Sequence, residues 1–303
     1  MPSIKKWLLC LVSTVSLGLF LAGCVSAPRV ISIPPVSESE IPSLTRAGDY
    51  SDVLALINFA MVRDLNLPAV DGTVIFYPDR QAFESGLVAE LQKDVEEAEK
   101  QFGPRARQIL KAETIPDFAR QTAAGSVAVG MSKRVLVDEL YFRRYEWADR
   151  VRVLAHELTH TMERAMMADR IASPDVWVRE GFAEWVSAKV MEAFGVESFQ
   201  TRRERSIAVV AKAKHSQTAP LNLATTGSSQ TWMPTPGLEA TNGQPLLAVD
   251  LLIEEKGLAE VLEYFRLFGT LDNREVNFTK AFGESSSAFE RRFNEHLRGL
   301  IGE

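Results

Sequence analysis

The stretch Val151–His160, ending in His156-Glu157-Leu158-Thr159-His160, constrains this chain more than any other. Residues four apart on an α-helix lie one turn above each other on the same face, so His156 and His160 can offer both imidazoles to one ion. Zinc takes ring nitrogens at about 2.0–2.1 Å, within reach of both. Glu157 sits one position round, poorly placed as a ligand and well placed to take a proton from water at that ion. The same helix carries Trp147, Val151, Leu154, Leu158, Met162 and Ala165 at spacings of three and four. At about 100° per residue this apolar stripe points nearly opposite the histidines, giving a packing side and a histidine side.

A second helix follows, with Ser173 as N-cap, Pro174 as first residue and Asp175 in the first turn. Its Glu180 and Glu184 are four apart on one face and, as like charges, would cost a bare helix about 0.2–0.5 kcal/mol. A cation held between the two helices removes that cost. Glu180 is therefore the expected third ligand, with Glu184 behind it accepting the N–H of a ligating histidine, His156. Two histidines, one glutamate and an open position describe a catalytic site for one Zn²⁺ rather than a closed structural one. The plainer alternative is that Arg179 and other basic residues neutralise two surface glutamates.

H-E-L-T-H followed by Trp177-Val-Arg-Glu-Gly-Phe-Ala-Glu-Trp185 resembles the gluzincin metallopeptidases, and in style the peptidase MA-like domains of bacteria. The resemblance runs over roughly residues 71–300. It implies an α+β, zincin-like fold: a small mixed sheet, an active-site helix and a mostly helical C-terminal part. It also implies a single zinc and peptide-bond hydrolysis, with His156, His160 and Glu180 on the metal and Glu157 as general base and acid. Relatives commonly place an oxyanion-stabilising tyrosine after the active-site loop. The corresponding neighbourhood, Thr241-Asn-Gly-Gln-Pro245, has none, leaving Asn242, Gln244, His215 or the more distant Tyr264 as substitutes. That gap keeps open a non-catalytic zincin-fold lipoprotein acting as a binding or envelope-assembly module. Aminopeptidase relatives hold the free amine with an acidic, glycine-rich strand motif; Gly125–Gly130 lacks one, which favours an endopeptidase.

The N-terminus carries an address. Lys5 and Lys6 precede an apolar run from Trp7 to Leu21, too short for a comfortable spanning helix. Leu21-Ala22-Gly23-Cys24 resembles the lipobox of bacterial lipoproteins, which implies a signal peptide over 1–23 and lipid on Cys24. Val25 rather than aspartate follows, so the expected location is the outer membrane, facing the periplasm. Cys10 lies in the segment to be removed, leaving no thiol to pair or to bind metal. Removing Lys5 and Lys6 takes 34 basic residues against 40 acidic ones to 32 against 40, a charge of −8. That balance argues against nucleic acid and against electrostatic adhesion to anionic lipid, and leaves acyl chains as the membrane attachment.

Residues 24–48, with Pro28, Pro34, Pro35 and Pro42, read as a flexible tether. Residues 49–303 then form the peptidase domain, mixed α/β to about 170 and helical beyond. Within it the pattern predicts helices over 49–65, 80–102 and 104–112, and a strand over 72–77. A hairpin is expected over 125–138, turning near Ser132-Lys133. Either Ser126–Gly130 or Arg134–Val137 is the candidate edge for an extended substrate, an inner strand being the alternative. A basic helix over 201–214 precedes a Ser/Thr/Gly/Pro-rich loop over 216–244, read as a lid or specificity wall, with plain disorder as the alternative. Core helices are expected over 246–255 and 258–268, and a last amphipathic one carries Phe289, Phe293, Leu297 and Leu300.

Overall fold

A computed structural model describes residues 27–35, 49–104, 107–108, 112–170, 174–215, 223 and 238–302. The targeting segment with Cys24, the expected N-cap Ser173 and most of the 216–237 loop lie outside the described residues. Among the described residues no helix is long and apolar enough to cross a membrane.

Four short strands make one mixed sheet in the order β1 (Arg29–Ser32), β2 (Thr73–Tyr77), β4 (Arg134–Asp138), β3 (Ala128–Met131). β1 runs antiparallel to β2, β2 parallel to β4, and β3 antiparallel to β4. The hairpin turns at Ser132-Lys133, where Lys133 takes φ 56°. Alternation divides the sheet cleanly between two faces. Val74, Phe76, Ala128, Val135 and Val137 join the larger core with α1 (Tyr50–Arg63) and the HExxH helix. Tyr77, Met131 and Leu136 face a smaller one under α2 (Arg80–Phe102) and α3 (Ile115–Gly125).

Two expectations are corrected here. The tether over 24–48 contains β1, which is fixed in register from Arg29↔Phe76 to Ser32↔Thr73 and followed by a buried Ile33. Arg134–Val137 cannot serve as a substrate edge, because β4 lies between β2 and β3. The edge strand on that side is β3.

After a short α4 (Glu139–Phe142) the remaining elements are helical: α5 (Trp147–Met166), α6 (Val176–Ala193), α7 (Phe199–His215), α8 (Leu238–Lys256), α9 (Leu258–Leu267), α10 (Arg274–Phe282) and α11 (Ser286–Ile301). The middle of the α5 stripe is buried as its spacing requires: Val151, Leu154, Leu158 and Met162 are inaccessible, each worth about 1.5–3 kcal/mol of burial, whereas Trp147 is half-buried and Ala165, in the last turn, is exposed. The sheet and α5 follow the expected α+β pattern. α6 starts later than expected, at Val176, so Pro174 precedes it. Residues 238–244, expected in the loop, are the first turns of α8, and Pro245 lies inside that helix.

α6 is clamped between α5 and α8. A Cβ on Gly181 would fall 2.3 Å from the Pro245 carbonyl oxygen, so only glycine lets the two backbones approach this closely. At the start of α6, Trp177 stacks on Phe289 with centroids 5.5 Å apart. Tyr264 bonds Asp175 there twice, accepting from its N–H and donating to its carboxylate, both at 2.9 Å. Helices from the far end of the chain thus set the position of α6.

Candidate metal centre

α5 and α6 bring three donor atoms to one point. His156 Nε2 and His160 Nε2 are 3.1 Å apart, and Glu180 Oε2 lies 3.3 Å from the first and 3.4 Å from the second. Three ligands about 2.0–2.1 Å from a tetrahedral ion are about 3.3–3.4 Å from one another. The observed triangle has that size, and His156, His160 and Glu180 form a group able to hold a metal ion.

The side chains behind the imidazoles explain why the three atoms face inward. His160 Nδ1 is 2.9 Å from Glu163 Oε2, and His156 Nδ1 is 3.5 Å from Glu184 Oε1. Carboxylates at both Nδ1 atoms fix the proton there and turn both Nε2 lone pairs toward Glu180. Three lone pairs then converge in a site largely withdrawn from water, an arrangement that needs a cation or extra protons at its centre. Each carboxylate is itself met by an arginine: Arg202 of α7 reaches Glu184 Oε2 at 2.9 Å, and Arg179 lies 3.6 Å from Glu163 Oε2. Glu180 and Glu184 are therefore not surface acids neutralised by Arg179, whose partner is Glu163.

Glu157 is tied to β3. The Gly130 N–H donates to Glu157 Oε2 at 2.6 Å. The bond Asp138 N→Val127 O places odd-numbered residues of β3 against β4, so Gly130 and Ala128 turn their backbone groups to the open edge. A Cβ at 130 would meet the Glu157 carbonyl oxygen at 2.4 Å and His160 Cβ at 2.8 Å. The missing side chain lets the edge strand lie directly on the HExxH turn.

Comparison with protein-family models, with curated proteins and with solved structures finds no match. The case for the site therefore rests on its geometry.

The structure brings His156, His160 and Glu180 together and places Glu184 behind His156. Glu163 and Arg202 were missed, and Arg179 was set against the wrong carboxylates. Glu163 had a readable signal, a carboxylate three residues after His160 on the histidine side of α5. The oxyanion candidates fare differently. Tyr264 is fully buried and committed to Asp175, which removes it. Gln244 is buried, and its Nε2 has no hydrogen-bond partner among the described residues. The side chains of Asn242 and His215 lie outside the described residues.

Electrostatics of the metal-free protein give a testable pH profile. Burial alone would lower the His160 pKa, but Glu180 and Glu163 outweigh it and raise it to about 9. Burial would likewise raise Glu184, but His156 and Arg202 hold it at about 2. A raised imidazole pKa contributes stability fully present below 6.5 and lost as pH rises toward 9; the depressed carboxylate contributes stability present above 4.5 and lost as pH falls toward 2. Thermal melts in chelator are expected to be highest between pH 4.5 and 6.5 and to fall on the alkaline side. Added metal replaces the imidazole protons and should flatten that alkaline fall. Identical profiles with and without metal would contradict the site.

Proposed function

We propose that this chain is a zinc-dependent peptidase of the gluzincin kind, with a zincin-like fold, acting as an endopeptidase at the bacterial envelope. The observation that carries the reading is the convergence of two carboxylate-backed imidazoles and Glu180 on one point, with Glu157 beside it. The donor set, two nitrogens and one carboxylate oxygen with a position left open, suits catalytic zinc. A zinc ion there supplies a Lewis acid that polarises a scissile carbonyl and lowers the pKa of water from 15.7 to about 7.

The rest of the reaction belongs to the protein. Glu157, with Oε2 held by Gly130 N–H, offers its other oxygen to the attacking water, takes its proton, and returns it to the leaving amine. An extended peptide can add to the open edge of β3 through the outward Ala128 groups and the Gly130 carbonyl, the Gly130 N–H being held by Glu157. The Cys24 lipid would keep the enzyme on its membrane.

One observation favours the non-catalytic alternative: the buried Tyr264 leaves no tyrosine to hold an oxyanion among the candidates considered. The two readings separate in one assay. Cleavage of an unfolded protein by the purified chain is expected to stop in chelator and return with zinc. A chain that carries stoichiometric zinc by elemental analysis yet cleaves nothing would support the binding-module reading instead.

A further inference from the structure

The two imidazoles of the cage are braced in different ways. Glu163 lies three residues after His160 on α5, so one helix sets both groups, and they meet at 2.9 Å. The arginine beyond it, Arg179, stays at 3.6 Å, outside hydrogen-bond length. His156 relies on a carboxylate from another helix. Glu184 belongs to α6, and its Oε1 lies 3.5 Å from His156 Nδ1. Neither α5 nor α6 by itself determines which way that carboxylate turns.

A third helix meets it. Arg202 of α7 donates through one terminal nitrogen to Glu184 Oε2 at 2.9 Å. Glu184 is 8 % exposed and the Arg202 side chain 19 %, so solvent ions screen the pair little. A carboxylate is planar, so holding Oε2 also fixes where Oε1 lies. The two oxygens are thereby divided, one to α7 and one to His156. The next residue, Arg203, makes a separate bracket. Its Nε is 3.0 Å from Asp250 Oδ2 on α8, and Asp250 Oδ1 accepts from Trp185 Nε1 at 3.2 Å. Consecutive residues of α7 thus hold consecutive residues of α6, and of these two arginines it is Arg202 that reaches the carboxylate behind the cage.

We propose that Arg202 is a positioning residue for the metal centre: it turns Glu184 so that Oε1 accepts from His156 Nδ1, which aims His156 Nε2 at the point shared with His160 and Glu180. The inference rests on the metal-centre reading and is independent of peptidase activity. A carboxylate behind a ligating histidine fixes the ring and its tautomer, and losing such a partner typically costs about 10–100-fold in metal affinity. Arg202 stands one contact further out, so its loss belongs at the low end of that range. Its effect is relayed by Glu184, whereas a mere docking role for α7 would be shared with Arg203.

The test measures zinc affinity of the full chain by chelator competition, with thermal melts to confirm that each variant folds. Arg202→Met keeps the packing of the stem but has no donor, and is expected to bind zinc about 10-fold more weakly. Arg202→Lys can still present one charged donor and should recover most of that loss. Arg203→Gln, which loosens the Asp250 bracket alone, should match wild type. In a Glu184→Ala background Arg202→Met should add nothing, the mark of an effect that runs through that carboxylate. Long-range nitrogen–proton spectra of the zinc-loaded chain follow its four imidazoles. The His156 Nδ1–H signal should move upfield in Arg202→Met as its hydrogen bond loosens, with the His160 signal unmoved. An unchanged affinity or an unmoved His156 signal overturns the proposal, as does an equal loss in Arg203→Gln or an undiminished loss behind Glu184→Ala. Wild type that binds no zinc overturns the metal centre itself, and the proposal with it.

Discussion

Glu157→Gln is expected to keep its metal and lose about 10²–10⁴-fold of peptide hydrolysis, the range a positioned acid–base group contributes. The substitution is nearly isosteric, and its amide oxygen can still accept the Gly130 N–H that Glu157 Oε2 accepts at 2.6 Å. What changes is the other terminal atom, which becomes an amide nitrogen unable to take a proton from water. None of the three converging donors is touched, so zinc content by elemental analysis should match wild type. Initial rates on an unfolded protein substrate provide the readout. A variant as fast as wild type would remove Glu157 from the proton transfer.

His160→Ala is expected to abolish stoichiometric metal binding. The substitution deletes one of three donors and leaves Glu163, fully buried, with Arg179 at 3.6 Å as its remaining ion-pair partner at the site. Glu163→Gln provides the graded companion. It keeps an acceptor for the His160 Nδ1 proton but removes the charge that raises the ring's basicity, a change typically worth 10–100-fold in metal affinity. Chelator-competition titration of the two variants beside wild type checks the order. Equal affinity in His160→Ala would end the cage, whereas equal affinity in Glu163→Gln would reduce that carboxylate to packing.

The parts of this site that were legible in the sequence are those set by helix periodicity. His156, His160 and the stripe from Val151 to Met162 are fixed by one helix's own geometry, and Glu180 and Glu184 by another's. Glu163 was legible on the same grounds but went unread. Arg202 was not, since nothing local says that α7 will return to α6. Tyr264 sits in Val261-Leu-Glu-Tyr-Phe265, a run whose burial is as readable as any core helix, and burial is what disqualifies it. β1 is only four residues between prolines, with no period long enough to register; its pairing with β2 across forty residues decides it. Residues 238–244 carry Gly243 just before Pro245, which reads locally as a loop. Close packing of the Pro245 backbone on Gly181 overrides that preference.

The order in which these pieces lie along the chain has a consequence for the newly made protein. Both histidines and Glu157 lie on a helix complete by residue 166, and the hairpin that touches them is earlier still. Glu180 is different, because α6, though packed on α5, is also held by Pro245, Tyr264 and Phe289. A polypeptide emerging N-terminus first therefore carries an incomplete cage until almost its last helix has appeared. On the peptidase reading, hydrolysis would stay latent during that interval, and the nascent chain would not cleave itself or its neighbours while still unfolded.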